Sequence, residues 1–456
     1  MKKPLVVTLL FIFALVIGML VGLVARPRQM PMVAPQNINK FDQALYYINT
    51  GYVDSINTDS IADVAMTSLM SELDPHSAYI PASDLDDVNS ELSASFSGIG
   101  IQFNIQQDTV HVVAVVSGGP SEGIGILAGD RIVEVDDSSF VGKTITNERV
   151  LHTLRGPKGS TVRLGIKRNT SNEVLHFSVT RGDIPLHSVN ASFIIAPETG
   201  FIRVTSFSAN TYQEFISALA RLRDMGAKRY IIDLRENPGG LMDQVIMMAN
   251  EFLERNQMIV YAQGRAYDLF ESRANGIGRF KQAPIVVLID EFSASASEIF
   301  AGAMQDNDRA LILGRRSFGK GLVQQQFELN DHSAIRLTVA RYYTPSGRCI
   351  QKPYKMGEQT DYQYDLINRF ENGEFYSRDS IHLKDTTIYK TIGGRNVYGG
   401  GGIMPDVFIA HDTTANTPWF NIVSNRALTY NFAFQYVDKN RDKLAAYKDW
   451  KQLEHY

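Results

Sequence analysis

Three short segments carry the residue types that could do chemistry. The first, Asp233-Leu234-Arg235-Glu236-Asn237-Pro238-Gly239-Gly240, leaves a β-branched apolar run and turns toward a helical pattern. Two glycines ahead of a helix expose backbone N–H groups without partners, beside the positive end of the helix dipole. Such donors can hold a developing oxyanion, although a plain strand-to-helix turn would read the same way. The second, Ser293-Ala294-Ser295-Ala296-Ser297-Glu298, follows an apolar strand that ends at Asp290. Small residues there let a substrate backbone come close, and a serine can present its hydroxyl to a crevice at the carboxyl ends of the strands. The same serines also suit helix capping, Ser293 and Ser297 in particular. The third, Gly319-Lys320-Gly321-Leu322-Val323-Gln324, sets a lysine between glycines at the start of a strand. A side-chain period of two puts Lys320, Leu322 and Gln324 on one face, so Gln324 can hydrogen-bond the amine. A solvated loop lysine is the plainer alternative.

Taken jointly, the segments suggest one site in which a serine hydroxyl attacks and a neutral lysine serves as base. The lysine must then lose its proton near pH 7. That requires lowering its pKa by about three units, roughly 4 kcal/mol, which burial can supply and open solvent cannot. Histidine and metal chemistries find no support. The chain has no H-E-x-x-H helix, and none of its nine histidines falls in the three segments. No Walker loop and no ligand cluster is present, so no metal, nucleotide or other cofactor is expected.

Positioning these segments requires a chain that alternates strands and helices. From about Ile184 to Ile409 it does so: strands at Phe201–Phe207, Tyr230–Leu234 and Ile285–Asp290 alternate with helices at Thr211–Met225, Leu241–Leu253 and Ser295–Met304, the order of a parallel α/β core. Before it, about Ser95 to Arg181 reads as a compact β-rich module of short strands with one helix, Asn147 to Leu154. Residues 41–94 show helical spacing, broken at Leu73-Asp74-Pro75 because Pro75 disfavours helix for Asp74. Lys352 to Arg395 is polar and irregular, an insertion or lid, and Pro418 to Tyr456 is helical. The expected divisions are residues 1–4, 5–25, 26–40, 41–94, 95–182, 183–410 and 411–456.

The run Leu5 to Ala25 is uncharged and apolar; as a helix it spans roughly 31 Å, close to a hydrocarbon core of about 30 Å. Lys2 and Lys3 keep the four leading residues cytoplasmic, so a single-pass membrane anchor with the remainder on the extracytoplasmic side is expected; a cleaved signal peptide is the alternative. A slight net negative charge and the lack of Lys/Arg runs argue against nucleic acid as a partner. The single Cys349 excludes an intrachain disulfide framework.

The order D-L-R-x-N-P-G-G, S-A-S-A-S-E-I, D-x-x-R-A (Asp306 to Ala310) and F-G-K-G-x-V-Q resembles the carboxyl-terminal processing proteases, a family of Ser–Lys peptidases. Further matches are Leu73 to Tyr79 (L-D-P-H-S-x-Y), Tyr343 to Gly347 and Gly402 to Asp406, so the resemblance covers about residues 40–410. It implies an α/β protease core of crotonase- or ClpP-like βαβ units with an inserted PDZ domain. It also implies a serine endopeptidase in which Ser295 is the nucleophile, Lys320 its general base and Gln324 the residue that orients the lysine. Gly239 or Gly240 and Ala296 would form the oxyanion hole, with Glu298 and Asp306 in supporting positions. The β-rich module is similar to PDZ domains: Ile99-Gly100-Ile101 fits the carboxylate loop, and Val150 and Leu151 on the 147–154 helix are pocket candidates. Exported proteins with apolar C-termini would be the substrates, and the C-terminal helical stretch could pair with a second copy. Arg131 is a candidate link between module and core. Two other readings stand beside this one: a catalytically inactive scaffold with a working tail-binding module, and a crotonase-type acyl transferase.

Overall fold

The computed structural model describes residues 39–454 except 384, 415, 448 and 449. The run Leu5 to Ala25 lies outside the described residues; among the described residues no helix is long and apolar enough to cross a membrane.

The chain divides near Leu69 into two compact units. In the first, helix α1 (Lys40–Gly51) starts where the Asn39 side chain accepts the N–H groups of Phe41 and Asp42, and helix α2 (Thr58–Ser71) follows. The second unit opens with strand β1 (Ala78–Ile80) and helix α3 (Ala82–Ser93).

Strand β2 (Ser95–Gly98) then leads into the β-rich module. Its strands are β3 (Ile101–Gln106), β4 (Thr109–Val115), β5 (Arg131–Val135), β6 (Ser138–Ser139), β7 (Thr161–Lys167) and β8 (Val174–Thr180), with helix α4 (Asn147–Leu154) between β6 and β7. The sheet runs β3-β4-β5-β7-β8, with β6 on β5 and β3 at one edge. Alternating branched residues (Val110, Val112, Ile132, Val162, Leu164, Ile166) point to one face, where Val150 and Leu154 of α4 cover them. Strand β9 (Gly182–Pro185) pairs antiparallel with β2, Ser95 opposite Pro185 and Gly98 opposite Gly182. Entry and exit of the module therefore form one two-stranded ribbon.

The α/β core follows. Strands β10 (Val189–Ala196), β11 (Thr199–Val204), β12 (Arg229–Asp233), β15 (Ile285–Ile289), β16 (Leu311–Gly314) and β21 (Val407–Phe408) form a sheet in that order. All neighbours from β11 to β21 are parallel; only β10 is antiparallel. Helices α5 (Thr211–Asp224), α6 (Met242–Asn250) and α7 (Ala296–Asp306) supply the crossovers expected of parallel strands. All of α7 is buried. Its small residues permit this: a side chain at Gly302 would lie 2.7 Å from Thr344 Cγ2. The core packs around Val245, Phe252, Phe300 and Met304, each large side chain worth about 1.5–3 kcal/mol on burial.

A second sheet was not apparent from periodicity. Strands β13 (Met258–Gln263), β14 (Phe270–Arg273), β17 (Leu322–Glu328) and β18 (Ala334–Tyr343) form it with β1, which pairs with β18 through Ala78–Arg336, Tyr79–Ile335 and Ile80–Ala334. The 352–395 region is not irregular throughout. It holds helices α8 (Thr360–Gln363) and α9 (Asp365–Glu371) and a hairpin of β19 (Ile388–Lys390) and β20 (Asn396–Tyr398). The buried Lys352 anchors it, its amine 3.0 Å from Asp365 and over the rings of Phe318 and Tyr362. Helices α10 (Pro418–Asn425) and α11 (Leu428–Lys439) lie near the C-terminus.

Candidate active site

The first two motifs sit at the carboxyl ends of the adjacent parallel strands β12 and β15. Asn237, fully buried, stitches them together. Its carbonyl accepts the Ala294 N–H at 3.0 Å and the Ser297 hydroxyl at 2.9 Å, and its Nδ2 donates to Val204 O at 2.9 Å. Ser293 Oγ donates to Leu234 O at 2.8 Å. Ser293 and Ser297 are thus spent on loop architecture, which leaves Ser295.

Ser295 has φ 55° and ψ −115°, a conformation that non-glycine residues rarely adopt. Such strain costs of order 1–3 kcal/mol and must be held by surroundings. Glu298 and Tyr342 do the holding. Glu298 Oε2 accepts the N–H of Ser295 at 2.9 Å and of Lys320 at 2.8 Å; Oε1 accepts the Gly319 N–H at 2.8 Å and the Ser317 hydroxyl. The Tyr342 hydroxyl reaches the carbonyl oxygens of both Ser295, at 3.0 Å, and Lys320. One carboxylate and one phenol therefore tie the two segments together through backbone atoms on both sides. Complete burial pushes the Glu298 carboxyl up to about 7, against the four hydrogen bonds that favour its charge.

Lys320 lies in the same cavity as Ser295, a cleft of about 260 Å³ that Gly240, Gln324, Arg336 and Tyr342 also line, with Leu92, Leu241 and Ile299 as apolar wall. Burial lowers the Lys320 pKa, and the Arg336 charge lowers it further against Glu298 and Asp74. The amine donates to Gln324 Oε1 at 2.8 Å, the contact that the strand period suggested, although a register shift falls between Val323 and Gln324. Gln324 Nε2 donates in turn to the His76 carbonyl. His76 belongs to the 73–79 segment, which Asp74 fixes by accepting the His76 N–H at 2.9 Å and Thr338 Oγ1 at 2.9 Å. The His76 imidazole is pushed down to about 4, first by burial and then by the Lys320 charge, and so stays neutral at physiological pH.

The two glycines differ. Gly239 is buried with φ 101°, and its N–H donates to Asn237 Oδ1 at 2.9 Å. A side chain there would meet Ser295 Cβ at 2.6 Å. Gly240 is exposed at the cavity wall with φ 140°, and a side chain would meet Phe207 O at 2.0 Å. Ala296 N lies 2.9 Å from the position a Gly239 Cβ would take. Asp306 is elsewhere. It ends α7, about 16 Å along the axis from its start, where it pairs with Arg348 at 2.7 Å and accepts from Ser346. Its role is structural ion pairing.

Comparison with known proteins decides the family. Residues 198–363 match the model of peptidase family S41, and residues 97–179 match that of the PDZ domain. A carboxy-terminal-processing protease of Bartonella bacilliformis is 33% identical over 69% of this chain and 73% of its own length. A carboxyl-terminal-processing protease of Picosynechococcus is 35% identical over 71% and 86%; carboxy-terminal processing protease CtpA of Bacillus subtilis is 33% identical over 71% and 70%. The chain belongs to the carboxyl-terminal processing proteases. It is a serine-type peptidase of family S41 with a PDZ domain.

In this carboxyl-terminal processing protease the PDZ residues divide by burial. Ile99 is buried, and its carbonyl accepts the Ser121 N–H at 3.0 Å. Gly100 has φ 76°, and a side chain there would lie 3.0 Å from Ile184 Cδ1. Ile101 starts edge strand β3. Val150 is completely buried in the domain core and is not an open pocket residue; Leu151, 39% exposed, is the one available at the surface of α4. The expected Arg131 link to the protease core is also corrected. Arg131 pairs with Asp438 of α11 at 2.8 Å, donates to Asn169 and lies over the Phe434 ring. It joins the PDZ domain to the C-terminal helix. Tyr342, Asn237 and Arg336 were not picked out by sequence reasoning. The S-x-x-E spacing of Ser295 and Glu298 carries a capping-box signal that could have located the Glu298 contact.

Proposed function

We propose that this chain is an ATP-independent endopeptidase that captures C-terminal tails of exported proteins on its PDZ domain and cleaves them through a Ser295–Lys320 acyl-enzyme mechanism. One observation carries the reading: Ser295 and Lys320 line one cavity, with the amine buried enough to lower its pKa and held by Gln324. In the described conformation the Lys320 amine donates to Gln324 Oε1. Ser295 Oγ then attacks the peptide carbonyl while Lys320 takes its proton; the new C–O bond forms, and the oxyanion rests on backbone N–H groups. With the Gly239 N–H engaged by Asn237, Gly240 and Ala296 are the donors. The tetrahedral adduct collapses, the C–N bond breaks, and the lysine returns its proton to the leaving amine. Water releases the acyl group by the same route. No step uses a nucleotide or a metal.

Leu5 to Ala25, with Lys2 and Lys3 before it, supports a retained anchor that leaves the PDZ and protease domains outside the cytoplasmic membrane. Tail capture is supported by the Ile99–Ile101 loop leading into edge strand β3, where a peptide can add as a further strand.

Casein digestion and fluorophosphonate labelling by wild type, Ser295→Ala and Lys320→Met test the mechanism. Both variants should lose digestion and labelling. Persistence of both in Lys320→Met would overturn it.

A further inference from the structure

Arg336 lines the catalytic cavity with Ser295 and Lys320, yet the catalytic reading gives it no task. It sits on β18, opposite Gln326 on one side and Ala78 on the other. Its side chain is positioned from outside the cavity: Nη2 donates to Gln326 Oε1 at 3.1 Å, and Gln326 Nε2 donates to Asn89 Oδ1 of α3 at 3.0 Å. Among the described residues no carboxylate forms a salt bridge with Arg336. The two acids that act on neighbouring Lys320 are both committed elsewhere. Asp74 accepts the N–H groups of His76 and Ser77 and the hydroxyls of Ser77 and Thr338. Glu298 accepts its four donors beneath the active site. The His76 imidazole, pushed down to about 4, carries no negative charge to pair with Arg336, and the Tyr342 hydroxyl reaches the carbonyl oxygens of Ser295 and Lys320. A half-buried arginine has five donors in a planar fork suited to a carboxylate. Gln326 takes one.

We infer that Arg336 is a specificity residue that binds a carboxylate of the substrate inside the catalytic cleft. The carboxylate is either an Asp or Glu side chain near the scissile bond or the free C-terminus of a short tail. The inference rests on the cleft being where peptide is cleaved, and it adds a charge preference beside the apolar side chains of Leu92, Leu241 and Ile299. It has a second consequence. A substrate carboxylate on Arg336 cancels part of the positive charge that favours neutral Lys320, so the lysine holds its proton to higher pH while an acidic substrate is bound.

The test uses the full chain in detergent. Peptides of one sequence are made with Glu or Gln near the scissile bond, each with a free or amidated C-terminus. Binding is measured on Ser295→Ala protein by anisotropy, and cleavage on protein with Ser295 intact. The Glu-over-Gln or carboxylate-over-amide preference should fall about tenfold or more in Arg336→Met and be largely kept in Arg336→Lys. Whichever preference responds names the source of the carboxylate. The pH of half-maximal kcat should be higher on the acidic peptide than on its neutral twin, and this gap should close in Arg336→Met. If neither preference changes between wild type and Arg336→Met, the inference fails. The binding arm does not depend on turnover, so a chain that cleaves nothing would sink the proposed mechanism while still deciding this point.

Discussion

The Ser295–Lys320 cleft and the PDZ domain are built on opposite principles. In the cleft, polar groups decide each residue. Asn237 and Glu298 are completely buried and hydrogen-bonded through both side-chain polar atoms, and Gly239 and Gly240 stand where any Cβ would collide with backbone or with Ser295. In the PDZ domain, fourteen buried apolar side chains form the core, and volume decides. Buried polar networks are costly when half satisfied, whereas apolar cores absorb modest changes of shape. The cleft should therefore fail sharply on single substitutions that the PDZ domain would survive.

The largest effect is expected from Lys320→Met, which should reduce turnover by about 10³-fold or more while leaving the fold intact. Its melting temperature should equal or exceed that of wild type, because a lysine whose pKa is lowered in the fold costs stability wherever the free amine is charged. Gly239→Ala should come next, with about 10²-fold or greater loss of kcat from a displaced Ser295. Gly100→Ala in the PDZ loop should leave cleavage of a tail-less peptide near wild type, and comparable losses from the two would break the contrast. Glu298→Gln leaves at least one of four buried donors facing an NH2 group, at about 1–3 kcal/mol per orphaned donor, measurable by thermal denaturation.

The pH dependence of Glu298 carries a sign. Its folded value of about 7 lies above the ordinary 4.5, so its stabilising contribution is complete below pH 4.5 and is lost as pH rises through 7. Stability profiles of wild type and Glu298→Gln should thus differ in slope between those pH values and run parallel above them. The smallest effects lie in the PDZ domain. Val150→Ala should cost about 1–3 kcal/mol as a core cavity, while Leu151→Ser should change stability by under about 0.5 kcal/mol and weaken tail binding.

What the sequence disclosed follows the same division. The parallel strands β11, β12 and β15 were legible because they are short branched runs followed by helical periodicity. So was the Lys320–Gln324 contact, which needs only the two-residue period of a strand. The β1–β18 pairing was not legible, because it joins Ala78 to Arg336 across most of the chain. The positive φ of Ser295 gave no signal either, since that conformation is announced by glycine and here is imposed by Glu298, Tyr342 and the Asn237 turn. Arg131 invited a wrong assignment because its partner, Asp438, belongs to a helix whose docking place only the folded chain defines. Val150 and Leu151 are adjacent and equally apolar; only the pitch of α4 sends one inward and the other to the surface.

The Arg131–Asp438 pair spans 307 positions. Closing so long a loop early would gain little, since the entropy must be lost before neighbouring contacts exist to offset it. The C-terminal helix should accordingly be the last part to join during folding. Its amides would be the first to exchange with solvent, and a nascent chain would have its PDZ strands assembled well before the residue that anchors Arg131 leaves the ribosome.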